Sequence, residues 1–335
     1  MVEGSKINRL AIIILCILSV IICGLLSVFI GSRPIPFETV KTILEGSGGT
    51  PLEAVIIQER IVRTLFCLLS GAALSISGLM MQAITRNPIA DPSILGVNTG
   101  AALFVVIGIA YFNIISMNEF IVFALLGAGI TALIVYGLSA RSREGATPIK
   151  LALIGVAMSA AASSLITIII LPDGALMDIY RFWQVGSVGG AEIEMIKKVT
   201  PFLIGVMVIA FFCATSFNAL SMGEDVAIGL GVNVTLIRCI GAICGVALCG
   251  VITALAGPIG FVGTMAPHIT RLISGTNYRI LIPVSAVLGG CLLTVADVIG
   301  RVLGRPGEVE VGIVTAFVGA PILVLIAMRA KGTKE

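Results

Sequence analysis

The sequence predicts an all-α integral membrane protein, and three observations lead there. Of 335 residues, 58% are hydrophobic and only 12% charged, about half the roughly 25% charged of an average soluble domain. The mean hydropathy of +1.13 is spread over the whole chain and leaves no polar stretch long enough to form a soluble domain. The charges fall in clusters separated by charge-free runs, and about 20 such residues suffice for a helix to cross the roughly 30 Å hydrocarbon core. A transmembrane β-barrel needs alternating ten-residue segments and aromatic girdles, which a 6% aromatic content does not supply. A formal charge of +3 offers nothing to a polyanion, so a nucleic-acid partner is excluded.

The spans follow from the runs in chain order. Residues 10–32 make the first; the run is long enough to cross and no small-residue cleavage pattern follows, so it reads as a span and not a removable signal. The second, 61–84, closes at Asn87-Pro88, because a residue before proline avoids the helical region. Spans at 93–112, 119–140, 149–171 and 197–216 follow. The charge-free run 239–270 is too long for one untilted crossing at about 1.5 Å per residue. It contains Gly257-Pro258, a helix terminator, and therefore divides into 235–256 and a short 258–271. Spans at 280–297 and 311–328 complete ten.

The positive-inside rule selects ten crossings over nine. With Lys6 and Arg9 cytoplasmic, ten crossings put Arg141, Arg143, Lys150, Arg271, Arg279 and the tail bases Arg329, Lys331 and Lys334 on the cytoplasmic side, whereas nine would put the last five outside. Both termini are then cytoplasmic and the whole chain, 1–335, is one transmembrane unit in the cell (inner) membrane.

Candidate chemistry is sparse. The eight cysteines lie in the hydrophobic runs without a CxxC pair and read as core packing. Span centres hold almost no ionisable group, which speaks against the proton or sodium relay of a secondary carrier, and against an intramembrane enzyme. No GxxxxGK[ST] occurs, so the chain has no phosphate-binding loop of its own. On the outer side Arg60 and Arg63, three apart, share a helix face before span two, and Arg301 and Arg305 end span nine. Two readings stand: snorkelling and pairing with Glu59 or Glu308, or a basic platform for an acidic partner. On the inner side, residues 218–233 are too polar to continue span six and too apolar for a free loop. Asn218 or Ser221 can cap a short surface helix there, Glu224 and Asp225 suit its first turn, and Gly229 or Gly231 can stop it. His268, beside Pro267, reads as a hydrogen-bonding group holding an irregular turn and not as a metal ligand; no metal site and no catalytic residue is expected.

Several motifs have a family likeness. Arg60-Ile61-Val62-Arg63-Thr64, Gly71, Ser77-Gly78, Gln82, Arg86-Asn87-Pro88-Ile89-Ala90-Asp91-Pro92 and Leu95-Gly96 form one block. Ala256-Gly257-Pro258-Ile259-Gly260-Phe261-Val262-Gly263 and Pro267-His268-Ile269-Thr270-Arg271 form a second, with Ala296-Asp297, Arg301, Glu308 and Gly312 beyond it. From about residue 55 to 328 the chain resembles the FecCD-type permeases of ABC importers for iron-siderophore, haem and cobalamin. The resemblance implies a type II ABC importer permease with ten helices. Two permeases, identical or close paralogues, sit on two cytoplasmic ATPases that use ATP and Mg²⁺, and an extracellular or periplasmic binding protein delivers cargo; this chain itself holds no cofactor. It further implies that Arg60, Arg63 and Arg301 face glutamates of the docked binding protein. Gly223, Glu224, Asp225, Ala227, Gly229 and Gly231 then mark the ATPase-coupling segment. Asn87 and Ile89 mark a cytoplasmic gate, Thr147, Pro148 and Ile149 a second one, and Pro267, His268 and Arg271 a structural motif. The expected cargo is a ferric siderophore, with cobalamin, haem or molybdate as alternatives. Glu310 stands where the family often has proline, which puts docking geometry at the outer mouth in question.

Overall fold

The computed structural model describes residues 9–46, 48–114, 116–141 and 148–331. Among them the regular elements are helices throughout. They are α1 (Arg9–Phe29), α2 (Phe37–Leu44), α3 (Pro51–Thr85), α4 (Val97–Phe112), α5 (Met117–Ala140), α6 (Pro148–Ile170), α7 (Gly174–Gln184) and α8 (Ile193–Phe212). The chain continues with α9 (Ala214–Met222), α10 (Glu224–Gly229), α11 (Val234–Ala256), α12 (Val262–Ser274), α13 (Tyr278–Leu303) and α14 (Val311–Lys331). Among the described residues seven of these, α1, α3, α5, α6, α8, α11 and α13, are long and apolar enough to cross a membrane, while α4 is a shorter apolar helix.

α3 is the axis of the fold. Thr50 and Glu53 form a capping box at its start: the Thr50 hydroxyl accepts from the Glu53 amide and the Glu53 carboxylate accepts from the Thr50 amide. The helix runs for 35 residues and stops where Arg86 turns left-handed at φ 51°. The stop therefore falls one residue before Asn87. α11, α12 and α13 pack directly on α3, and α4, α5 and α6 form a second group joined to it through α11.

Close approach explains the small residues of α3. A Cβ on Gly71 would overlap the Gly289 carbonyl of α13, and one on Gly78 the Gly263 carbonyl of α12. Where lipid removes most of the hydrophobic drive, such backbone contact supplies packing. Pro267 has no N–H for the carbonyl four residues earlier. That carbonyl, of Gly263, accepts instead from Nε2 of Gln82 at 3.1 Å. The expectation of an irregular turn at Pro267-His268 is corrected here: both lie inside continuous α12, and Gln82 from the neighbouring helix meets the carbonyl that proline frees.

Candidate functional site: an arginine cluster and a short lever at opposite ends of the bundle

At one end, α1 finishes, α3 begins and α13 finishes. The last carbonyls of a helix have no partner within it and carry partial negative charge, so cations are favoured there. Three arginines take this place. Arg60 donates to the carbonyls of Val28 at 3.1 Å and Arg33 at 2.6 Å. Arg301 donates to the carbonyl of Ser27 at 3.0 Å and to its hydroxyl at 2.6 Å. Arg305 donates to the carbonyl of Gly31 through Nε and Nη2, at 3.2 and 2.7 Å. A Cβ on Gly31 would overlap the Arg60 guanidinium and force it to shift.

Arg63 is engaged differently. Its Nε and Nη2 both donate to Oδ1 of Asp297, at 2.9 and 2.6 Å, and its Nη1 donates to Oε2 of Glu308 at 2.5 Å. The other oxygen of Asp297 lies 3.0 Å from Nη2 of Arg301, so one fully buried carboxylate bridges two guanidinium groups. Arg60 and Arg301 are only 6% and 2% exposed. The structure therefore brings together all three arginines singled out from the sequence, and it gives their partners as carbonyls at the end of α1 and in the segment after it, the Ser27 hydroxyl, Asp297 and Glu308. Glu59 forms no ion pair with them among the described residues.

Glu308 sits on the return loop between α13 and α14. The Val309 amide donates to the Gly300 carbonyl at 3.1 Å, and Gly304 packs so tightly on the loop that a Cβ would meet the Glu308 and Val309 backbone at 2.6 to 2.7 Å. Partial burial works against the Glu308 anion, but its bond to Arg63, a hydrogen bond with the Ser32 side chain and the nearby charge of Arg301 hold the carboxyl below the usual carboxylate range.

At the opposite end, α9 continues from α8 after a break at Cys213, and Gly223, at φ 132°, turns the chain into α10. Asn218 and Ser221 do not cap α10; they lie within α9. Oδ1 of Asn218 accepts from the Tyr278 backbone amide at 2.8 Å and its Nδ2 donates to Oδ1 of Asn277 at 3.0 Å, which ties α9 to the α12–α13 turn. Glu224 opens α10 and pairs with Arg238 of α11 at 2.9 Å. Asp225 shares that first turn, Ala227 is buried, Gly229 closes the helix and Gly231 follows at φ 79°. Met222, Ile228 and Leu230 present apolar side chains outward, each more than half exposed.

Close by, the α3–α4 turn is held by its own side chains. Oδ1 of Asn87 accepts from the Ile89 amide at 3.1 Å, and Oδ1 of Asp91 accepts from Ser93 at 3.0 Å. Burial pushes the Asp91 carboxyl above its ordinary value against these hydrogen bonds. A cavity of about 20 Å³, lined in part by Asn87, Asp91, Leu151 and Ala152, separates this turn from the start of α6. Thr147 lies outside the described residues, while Pro148 and Ile149 begin α6. Arg271 stands in the last turn of α12.

Next to the arginine cluster, residues 183–187 thread between the α11–α12 break and the start of α14. The Ser187 amide donates to the Ala256 carbonyl at 2.7 Å, and the Gly312 amide to the Gly186 carbonyl at 3.0 Å. Beside this crossing lies an open cavity of about 600 Å³ lined by Val185, Pro258, Phe261, Gly312 and Phe317.

Sequence reasoning missed Ser27, which is fully buried beneath Arg301, and Arg238, the partner of Glu224. Arg238 carries a signal in retrospect: a lone base at the start of an apolar run, fourteen residues after an acid.

The sequence model of the FecCD transport family matches residues 17–329. The chain belongs to the FecCD transport family. It is 39% identical over 97% of its length to the Bacillus subtilis probable siderophore transport system permease protein YfiZ, covering 98% of that protein. It is 38% identical to the Escherichia coli ferric enterobactin transport system permease protein FepD, over 93% of each chain. A solved structure described as an inward-facing conformation of a metal-chelate type ABC transporter matches with a TM-score of 0.82 and 25% identity, over 96% of this chain and 99% of that one. As a member of this family the chain is a multi-pass transport permease and not an enzyme; ATP hydrolysis falls to a separate subunit.

Proposed function

We propose that this permease imports a ferric siderophore across the cell membrane by alternating access, powered by two cytoplasmic ATPases. The observation that carries the reading is the near full-length likeness to permeases named for siderophore and ferric enterobactin transport. Ten crossings with both termini cytoplasmic suit the helix order, with α1, α3, α4, α5, α6, α8, α11, α12, α13 and α14 as the spans and short α12 as the eighth.

In this reading the permease pairs with a second copy or a close paralogue, and cargo released by a binding protein passes between them along the cavity beside Phe261 and Phe317. The arginine cluster faces outward and receives acidic side chains of the binding protein, with Arg63 more accessible than Arg60 and Arg301 through its Glu308-paired edge. α10 is the ATPase-facing lever: its exposed Ile228 and the neighbouring Met222 and Leu230 fit an apolar groove, and Glu224–Arg238 ties the lever to α11. The Asn87–Ile89 turn and the start of α6 at Pro148-Ile149, with Thr147 before it, act as the inner gate.

Cargo class is tested at the binding protein of the same transport system, purified and titrated with ferric hydroxamates, ferric catecholates, haem and cobalamin while its fluorescence is followed. The reading expects saturable quenching by a ferric siderophore. Saturation by haem or cobalamin alone would overturn the cargo and leave the transporter class intact.

A further inference from the structure

Arg63 stands out in the arginine cluster because one of its counter-ions is replaceable. Asp297 is fully buried and takes Nε and Nη2, so that side of the guanidinium is closed. Nη1 turns to Glu308, whose side chain is 33% exposed and contributes one oxygen. An arginine fork accepts a carboxylate best through two parallel N–H bonds, so a single-oxygen contact leaves donor capacity unused. The cluster is also short of acid: Arg60, Arg63, Arg301 and Arg305 converge, while Asp297 and Glu308 are the carboxylates paired with them among the described residues. Arg60 and Arg305 are met by carbonyls instead. Such an excess of positive charge favours an acidic partner.

We propose that Glu308 is a built-in competitor for the partner's carboxylate: in the free permease it occupies the Nη1 edge of Arg63, and docking displaces it. The inference rests on the docking role given above to the arginine cluster. The Gly304 and Gly300 contacts fix the loop backbone, so displacement asks for a rotation of the Glu308 side chain that gives up its contacts with Arg63 and the Ser32 side chain. The competitor weakens docking, which lets the binding protein leave after delivery.

The experiment measures affinity between the permease–ATPase complex in nanodiscs and the system's purified binding protein, by surface-captured kinetics at two salt concentrations. Glu308→Gln removes both the contact and one negative charge. Glu308→Asp keeps the charge but withdraws it from Arg63. Glu310→Gln removes a nearby charge that is not paired with Arg63, and all variants are checked for a single monodisperse peak.

The proposal expects Glu308→Gln to tighten binding roughly fivefold, the order of an exposed ion pair, mainly through slower dissociation. Glu308→Asp shifts the same way by less. Glu310→Gln gives a smaller change that fades at high salt, and in an Arg63→Gln background Glu308→Gln has no effect. Equal tightening by Glu308→Gln and Glu310→Gln would show a general field effect and overturn the competitor. Weaker or unchanged binding in Glu308→Gln, with Arg63→Gln still damaging, would overturn it too. If Arg63→Gln itself leaves affinity unchanged, the docking role falls.

Discussion

The two ends of α3 handle charge in opposite ways. Where α3 begins, four arginines crowd around the end of α1 and two carboxylates, and Asp297, Arg301 and Arg60 are nearly inaccessible. Where α3 ends, the short helix α10 has one half-exposed pair, Glu224–Arg238, amid outward apolar side chains. The first end is rigid and pre-organised, because each guanidinium is held by fixed acceptors. The second is held more lightly, since α10 hangs from Gly223 and is anchored by the small side chain of buried Ala227 and one half-exposed pair. A rigid electrostatic face suits recognition, and a loosely tethered apolar lever suits transmission of motion.

Removing Asp297 should break the comparison most severely. Asp297→Ala leaves Arg63 and Arg301 buried beside each other without their shared carboxylate, and loss of one partner of a buried pair costs about 3–5 kcal/mol. A large fall in melting temperature in detergent is the expected outcome, and wild-type melting would show that carbonyls alone hold the arginines. Arg63→Gln comes next: binding-protein affinity should fall by roughly thirtyfold or more, the order seen when one member of a desolvated interfacial pair is truncated. Arg60→Gln should act on melting more than on affinity, since its donors serve backbone carbonyls of α1 and the segment that follows it.

At the other end, Glu224→Gln should alter stability by under about 1 kcal/mol, as for an exposed pair, yet uncouple ATPase turnover from binding-protein stimulation. Wild-type stimulation in that variant would remove α10 from the coupling path. The smallest effect concerns pH. Because the Glu308 carboxyl is held below its ordinary value, near 4.3 for a free glutamate, its pairing with Arg63 is complete above that value. The pairing is lost as pH falls through the depressed one. The difference in melting temperature between wild type and Glu308→Gln should therefore be flat from about pH 8 to 5 and shrink below about pH 4.

These contrasts also explain what was legible in the sequence. The run 235–256 nearly coincides with α11, Val234–Ala256, because its end is set by Gly257-Pro258, a local stop signal that the structure obeys with Gly257 as the C-cap. The run 280–297 stops short of α13, which continues to Leu303, because a ruler of charge-free residues ends at Asp297 although that charge is neutralised inside the bundle. α3 likewise starts ten residues before position 61, carrying Glu53, Glu59, Arg60 and Arg63 within the helix. Small amphipathic pieces such as α2 and α7 escaped a search for long apolar runs. The importance of Arg60, Arg63 and Arg301 was readable from spacing and family likeness. Their internal partners were not, because Asp297 meets Arg63 across 234 positions of chain. Pro267 shows the same limit: its breaking tendency is local, whereas the Gln82 side chain that compensates it comes from another helix.

The central claim is an ATP-driven importer whose specificity and energy come from partners. The most direct measurement is uptake of radioactive iron, as ferric siderophore, into proteoliposomes holding this permease. The account predicts uptake only when the ATPase, ATP with Mg²⁺ and the binding protein are all supplied, and its loss in Arg63→Gln. Uptake by the permease alone, driven by an imposed proton or sodium gradient, would contradict it.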